Sequence, residues 1–306
     1  MRFDTTALMG KIFRAARVPL GSSYRDPETI LALASDEMEQ WIVPELLKVS
    51  GGHFVAYQDF ELVSGQTRYR FPERSIRPER LEVVSSEGLL VGHLVLASGR
   101  LVDEVLAGRC PPTQGLGWWC PENNHAVVVL RSTSDITGRS LRIFYRRQPN
   151  RLIATSACWR ITEINGGNIL MEPINAEDGN HDTVLGELYD VVASTPTFEA
   201  TEEDIEEIAG DTNLLAVSPA PTNAAVGQFV APAGFTPVPQ LPVAFLGALV
   251  EHCAATILTE QGNRAGGDAK RAVAAAKLAT ALTTATPRGD EAETAAQDHW
   301  DTAETW

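Results

Sequence analysis

The chain has 306 residues, of which 44% are hydrophobic and 21% are charged, so it can bury a sizeable core and is neither wholly disordered nor fibrous. Forty acidic and 25 basic residues give a formal net charge of −15, which argues against a protein that coats nucleic acid by neutralising phosphates. Four cysteines without a C-x-x-C pair argue against a zinc module. Composition therefore excludes several classes of protein.

The first 50 residues predict two helices. Residues 4–17 place apolar side chains at helical spacing. Asp26 then has the position of an N-cap, with Pro27 as the first helical residue, and an apolar stripe continues from there to about Val49. Pro44 lies inside this second helix and removes one backbone hydrogen bond, so we expect a kink there.

From His53 the apolar period changes to two, which indicates strands. Residues 54–62 and 69–71 predict a hairpin around the turn Ser64-Gly65-Gln66. A short helix is expected near Leu101–Leu106. Further strands are predicted at 81–85, 89–91, 126–130, 141–146, 159–164, 169–171, 188–192, 214–217 and 228–231. Many short strands separated by turn residues indicate a barrel or a sandwich.

The excess negative charge lies in the middle of the chain. Residues 1–151 contain 19 basic and 17 acidic side chains, and residues 251–306 contain 5 and 9. Residues 152–250 contain 14 acidic side chains and a single basic one, Arg160. A field of this sign repels phosphates and attracts basic partners.

No targeting or membrane segment is expected. The N-terminus lacks the apolar core and the cleavage site of a signal peptide. The longest uncharged run, 212–250, contains six prolines, which disfavour a spanning helix. We therefore expect a soluble protein that is made in a reducing cytoplasm and has free cysteines.

After the proline-rich stretch 237–242 the helical period returns. One helix is predicted from Val243 to Gly262, and a second from near Asp268 to about Ala285. The last residues, 286–306, are polar and acidic but contain Trp300 and Trp306. Because such a tail cannot bury a core of its own, the two tryptophans favour docking onto another surface.

These patterns predict an α+β fold. The N- and C-terminal helices are expected to form a helical bundle, into which an antiparallel β-barrel or sandwich domain is inserted, and the chain ends in an extended tail. The predicted parts are the N-terminal helices 1–52, the β-rich domain 53–240 with its acidic part 152–235, the C-terminal helices 241–285 and the docking tail 286–306.

No catalytic or cofactor-binding set is found, so we predict a protein that is not an enzyme and has no cofactor. The loop 177–182, with His181 among carboxylates, is the best metal candidate, but it lacks the spacing of a calcium loop. A solvated acidic turn is the favoured interpretation. No G-x-S-x-G elbow is present, although a catalytic triad assembled from distant residues is not excluded by sequence.

Two charged clusters have more than one interpretation. An acidic run is either a solvated loop or helical turn, or an electronegative surface in an assembly; it consists of Glu202, Glu203, Asp204, Glu206 and Glu207. To bind DNA, a group of arginines near a predicted strand would need interleaved aromatic side chains and a domain of net positive charge. Strand-surface charge, or pairing with acidic neighbours in an oligomer, is the favoured interpretation. That group is Arg139, Arg142, Arg146, Arg147 and Arg151.

Four stretches resemble the head-to-tail adaptor (head-completion, connector) proteins of tailed bacteriophages. The stretch EMEQWIVPELL at 37–47 is similar to the family's long helix that ends in I-V-P, and TRYRFPERSI at 67–76 to its tyrosine–proline–arginine strand exit. LRIFYRRQPNRL at 141–152 resembles its strand followed by P-N-x-L. VGQFVAPAGFTPVPQLP at 226–242 resembles its final strand and its return to helix.

The resemblance implies a non-enzymatic virion protein of the neck. In that family a ring of subunits, usually twelve, docks beneath the portal, extends the DNA channel and provides the attachment surface for the tail. The implied partners are the portal ring, a downstream tail or neck protein and neighbouring copies, while genomic DNA passes through without sequence-specific binding. The helical bundle and the C-terminal tail are implied to contact the portal, through Trp300, Trp306, Pro287 and Arg288.

One departure from the family and two rival functions stay open. The family has a Gly-Gly pair where Arg77-Pro78 follows Ile76, so that turn must be built differently. The leading alternative is a β-rich binding module of the virion, for a receptor or a glycan. An enzyme with a metal at His181 comes third.

Overall fold

The computed structural model describes residues 4–49, 54–72, 74–107, 109, 116–131, 138–165, 168–174, 188–195 and 224–285 and, as backbone, 200–211 and 214–217. Its α-helices are α1 (Thr5–Ala16), α2 (Pro27–Glu37), α3 (Val43–Val49), α4 (Gly99–Leu106), α5 (Val243–Glu260) and α6 (Arg264–Ala285). Its strands are β1 (Val55–Glu61), β2 (Arg68–Arg70), β3 (Ser75–Ser85), β4 (Leu90–Leu96), β5 (Gly117–Glu122), β6 (His125–Leu130), β7 (Arg139–Arg147), β8 (Arg151–Leu152), β9 (Trp159–Asn165), β10 (Asn168–Pro173), β11 (Leu188–Val192), β12 (Ala200–Asp211), β13 (Leu214–Val217), β14 (Phe229–Pro232) and β15 (Phe235–Thr236). The predicted α+β class with a β-barrel is confirmed.

The chain divides into two compact units. Met1–His53 and Pro149–Trp306 form the first unit, and Phe54–Gln148 forms the second. Residues 53–240, predicted as one inserted domain, divide into a seven-stranded sheet in the second unit and a closed barrel in the first.

The N-terminal helices of the first unit begin at aspartate caps. The Asp4 carboxylate accepts a hydrogen bond from the Ala7 N–H at 2.9 Å, and Asp26 accepts one from the Thr29 N–H at 2.9 Å. Each bond satisfies a donor that the first helical turn leaves without a partner. The predicted cap at Asp26 is therefore confirmed.

The irregularity expected at Pro44 takes the form of a π-helical turn. This turn covers Met38–Ile42, between α2 and α3, and the Val43 N–H donates to the Met38 carbonyl. Because proline has no N–H and its ring clashes with the preceding turn, a regular helix cannot pass through this position undisturbed. The wider turn accommodates the proline and lets the chain continue into α3.

The C-terminal helices α5 and α6 run in opposite directions. Gly267 allows the two helices to approach each other closely, because a Cβ at that position would lie 3.0 Å from the Ala255 carbonyl oxygen. The predicted start of α6 near Asp268 is wrong. The helix begins at Arg264, because the Asn263 side chain accepts a hydrogen bond from the Gly266 N–H at 3.0 Å and caps the helix one turn earlier.

Helix α5 is a core helix by its burial. It is the one helix in the described ranges that is long and apolar enough to cross a membrane, and half of that stretch is buried inside the protein. Phe245, Leu249 and Cys253 are fully buried, and the helix contacts α1, α2 and α6. Its apolar surface is therefore used for packing within the first unit.

The barrel in the first unit has the strand order β10-β13-β12-β11-β14-β9 and closes because β9 pairs with β10. Every neighbouring pair is antiparallel. Its described core contains Trp159, Ile161, Ile169, Met171, Tyr189, Val191 and Val230. A closed barrel leaves no unpaired edge, which removes a site of strand-to-strand aggregation.

A buried polar junction joins the barrel to the proline-rich segment before α5. The Asn150 side chain donates to Asp190 Oδ2 at 2.6 Å, and the Gly234 N–H donates to the same oxygen at 2.9 Å. The Asn150 N–H donates to Gln240 Oε1 at 2.7 Å. Buried polar groups of this kind are costly unless paired, so the network fixes one arrangement of these segments.

The second unit is a curled sheet with the order β1-β7-β3-β4-β5-β6-β2. The predicted hairpin of β1 and β2 is wrong: Tyr57 of β1 lies opposite Phe144 of β7, and Tyr69 of β2 lies opposite Ala126 of β6. The turn at Ser64-Gly65-Gln66 is present, with Gly65 at φ +84°, but it carries the chain from one edge of the sheet to the other. The sheet curls because its two edge strands are consecutive in the chain.

Strand β5 was not predicted, because both of its faces are buried. Trp119 lies in the core of the curled sheet, while Trp118 and Cys120 pack on the other face with Val102 of α4. A strand covered on both sides has no apolar–polar alternation.

The departure at Arg77-Pro78 is resolved as a strand. Both residues lie within β3, and the pairing of β3 with β7 shifts register on either side of them. Because proline cannot donate to a sheet, such an irregularity is where it is tolerated. No turn with positive φ is needed here.

Candidate interaction surfaces

The residues predicted to dock on the portal lie outside the described residues. This applies to Pro287, Arg288, Trp300 and Trp306, and equally to the metal candidate at 177–182. Within the described ranges, no group of three or more His, Cys, Asp or Glu side chains is arranged to hold a metal ion.

The acidic run lies in a strand of the barrel. Glu202, Glu203, Asp204, Glu206 and Glu207 belong to β12, so the predicted loop or helical turn is wrong. The backbone of β12 pairs with β11 on one side and β13 on the other; Glu206 is opposite Leu188 and Glu207 is opposite Val217. Acidic residues have low strand propensity, and pairing on both sides in a closed barrel overrides it.

Several arginines of the predicted basic group pair with carboxylates of the same chain. Arg142 forms a two-pronged ion pair with Asp59, with both N–O distances at 2.8 Å, and Arg146 lies 2.7 Å from Glu79. Arg151 lies 2.7 Å from Asp36. The hydrogen bonds that Arg142 donates to Asp59 raise the pKa of Arg142 above its usual value. Charge pairing therefore accounts for these side chains without a nucleic-acid partner.

An open groove of about 490 Å³ lies between α1, α5 and α6 of the first unit. Its charged lining consists of Lys11, Arg14, Glu251, Lys270 and Lys277, and we call it the basic groove. Four cations against one carboxylate give this lining a net charge of +3. This surface differs in sign from the chain as a whole, which carries −15.

Glu251 organises the lysines of the basic groove. Its two oxygens accept hydrogen bonds from Lys270 at 2.6 Å and from Lys277 at 2.8 Å. Burial alone would raise the pKa of Glu251, but the two ammonium groups lower it overall, so the carboxylate stays ionised. The lysine side chains are thereby fixed along one face of α6.

A second open groove, of about 430 Å³, continues along α5 and α6 from Lys277. Its lining is mostly apolar and small: Ala244, Val273, Ala276, Ala281, Thr280 and Thr284. We call it the apolar groove. Lys277 lines both grooves, and Thr284 brings the apolar one to the last residues of α6.

Helices α2 and α5 are linked by a polar contact. Glu37, at the end of α2, accepts a hydrogen bond from Thr256 of α5 at 2.7 Å, and its other oxygen lies 2.7 Å from His252 Nδ1. Burial by itself raises the pKa of Glu37, but these bonds lower it overall. The pair ties residues that are more than 200 positions apart in the chain.

Sequence reasoning did not find the basic groove. A signal was present, since the whole chain contains four lysines and Lys11, Lys270 and Lys277 are three of them. Their convergence depends on the packing of α1 against α5, which residue spacing does not encode.

No family model matches the chain, and the search of curated proteins finds no match.

Proposed function

We propose that this chain is a head-to-tail adaptor of a tailed bacteriophage, a non-enzymatic virion protein that joins the portal ring to the tail. The observation that carries the proposal is the arrangement of the chain: helices from both termini contact each other, and the polypeptide between them forms β structure. Glu37 and Thr256, from the two ends, are in direct contact. The four stretches that resemble the adaptor family lie in these same parts of the chain.

In this proposal α1–α3, α5 and α6 form the helical bundle of the adaptor. The contacts of α5 with α1, α2 and α6 support it. The bundle and residues 286–306 contact the portal, neighbouring copies complete a ring, and a tail or neck protein binds below. The negative charge of the barrel region favours passage of DNA without binding, because like charges repel.

The test is assembly on the portal. Full-length protein is mixed with the purified portal protein of the same phage, and the mixture is imaged by negative-stain electron microscopy. We expect an additional ring at one end of the portal. A portal that stays bare at saturating protein contradicts the proposal, and a chain lacking 287–306 that docks normally contradicts the role of Trp300 and Trp306.

A second candidate is a β-rich module that binds a receptor or a glycan. It is favoured by exposed apolar residues at the start of β4, where Leu89 and Leu90 are 63% and 54% exposed. Contiguous exposed apolar patches mark interaction sites when they are large. Binding of labelled protein to host cells or to a glycan array, without binding to the portal, would support this candidate instead.

A further inference from the structure

The basic groove and the apolar groove form one continuous surface on α1, α5 and α6, with a basic end and an apolar end. They meet at Lys277, and the apolar end reaches Thr284, next to the last residue of α6. Residues 286–306 continue from this point. The surface therefore begins where that segment leaves the helix.

The composition of 286–306 is complementary to the grooves. It contains six acidic residues and one basic residue, and Trp300 and Trp306 are its two aromatic residues other than His299. The basic groove offers four cations against Glu251, and the apolar groove offers Val273 and small side chains. Indole rings bury large areas against such surfaces, and carboxylates pair with lysine and arginine.

The segment is long enough to reach both grooves. From Lys270 to Thr284 helix α6 extends about 21 Å, at 1.5 Å per residue. The 15 residues from Ala285 to Trp300 span up to about 50 Å when extended. A return along the helix is therefore possible, and attachment to the same chain raises the effective concentration of the segment to the millimolar range.

We propose that residues 286–306 bind in the basic and apolar grooves of their own chain. In the free protein this segment then occupies both grooves. A partner that binds the segment must first displace it from them. This inference does not depend on the proposed function, because it concerns the isolated chain.

Zero-length carbodiimide cross-linking of the full-length protein tests the proposal, because it joins carboxylates to amines that are in contact. Three lysines line the grooves, and the fourth, Lys48, is an exposed internal control on α3. We expect cross-links from 286–306 to Lys11, Lys270 or Lys277 at least fivefold more often than to Lys48, as measured by peptide mass spectrometry. No such cross-links, or an equal share at Lys48, would overturn the proposal.

Mixed isotopes test whether the contact is within one chain. Equal amounts of ¹⁵N-labelled and unlabelled protein are combined before cross-linking. We expect pairs in which both peptides carry the same label. Pairs of one heavy and one light peptide at half of the total would show binding between copies and would overturn the same-chain assignment.

Two pairs of variants test the location. Val273→Asp places a negative charge in the apolar groove and should lower the cross-link yield at least fivefold, whereas Ala275→Asp, about 200° around α6, should not. Arg14→Gln removes an exposed groove cation and should lower the yield about twofold, whereas Arg17→Gln, outside the groove, should not. Equal effects of a variant and its control would overturn the location. Circular dichroism identifies any variant that fails to fold, and the other pair then decides.

Discussion

The imidazole of His252 stacks on the indole of Trp41, with ring centroids 3.9 Å apart and the planes inclined by 14°. Trp41 belongs to the π-helical turn before α3, and His252 belongs to α5. The same imidazole approaches Glu37 through Nδ1, so one histidine receives an aromatic face and a carboxylate from the N-terminal helices. These contacts couple the N-terminal helical residues to α5.

The first prediction concerns Glu37. We expect Glu37→Gln to lower the free energy of unfolding by about 1–3 kcal/mol at pH 7, because the charged partner of His252 and Thr256 is lost. The pKa of Glu37 is below its ordinary value of 4.5 in the folded protein. Its stabilising contribution is therefore present above pH 4.5 and is lost as the pH falls through the lowered pKa.

Urea unfolding of wild type and variant from pH 7 to pH 3.5 measures this. The difference in the free energy of unfolding between wild type and Glu37→Gln should become smaller below pH 4.5, the ordinary pKa of the Glu37 carboxyl group. Glu45→Gln is the control, because Glu45 pairs with Lys48 on an exposed helix face and should contribute less than about 0.5 kcal/mol. A difference that is independent of pH would contradict the assignment.

The second prediction concerns the ion pair of β1 and β7. Arg142 bonds both oxygens of Asp59 and lies over the ring of Tyr57, 4.4 Å from its centroid. Lysine has neither the planar fork nor the stacking face, so Arg142→Lys should cost about 1 kcal/mol. Chemical denaturation measures it. Arg100→Lys, in an exposed pair with Glu104, should have almost no effect, and equal costs would count against the role of the geometry.

The third prediction concerns Gly117 in β5. A Cβ there would collide with the Val129 carbonyl oxygen and lie 2.9 Å from Leu130 Cα, so Gly117→Ala should destabilise by about 1–3 kcal/mol. Gly99→Ala is the matched control, since nothing lies within 4 Å of its Cβ position and it begins α4. That change should be neutral or stabilising by about 0.5–1 kcal/mol. Thermal unfolding of both variants compares them, and a neutral Gly117→Ala would refute the close approach of β5 and β6.

The fourth prediction concerns the cysteines. Burial raises the pKa of Cys158 and Cys253, and both thiols are inaccessible in the folded protein. We expect neither to react with iodoacetamide at pH 8 over an hour, and both to react once the protein is unfolded in urea. Mass mapping of the alkylated peptides measures this. Rapid labelling of Cys253 in the native protein would mean that α5 is not packed as described.

The helix boundaries were the most predictable part of the fold, because caps and prolines act locally. The Asp26-Pro27 start of α2 was read from residue types alone. The start of α6 was missed because Asn263 is a cap only through the conformation of the preceding turn. A helix start can be predicted from sequence when a distinctive capping residue lies within one turn of it.

Strand pairing was much less predictable. The turn at Gly65 is a good hairpin signal, yet β1 and β2 pair with distant strands. Strand β12 contains five acidic residues in six positions, a pattern that does not predict a strand. For β1 and β2 the hydrogen-bond partners come from distant parts of the chain, and local propensity does not contain this information. Strand β12 pairs with its sequence neighbours β11 and β13, and it was missed because acidic residues have low strand propensity. The basic groove was also missed, because α1 and α5, which form it with α6, are distant in sequence.

The small number of lysines has a practical consequence for any binding measurement. Amine-directed reagents act on lysine side chains, and three of the four lysines lie in the basic groove. Immobilising this protein on a sensor through random amine coupling would therefore often attach it by that face. Attachment by that face covers the basic groove and prevents binding there, and coupling through an engineered cysteine on α4 avoids this.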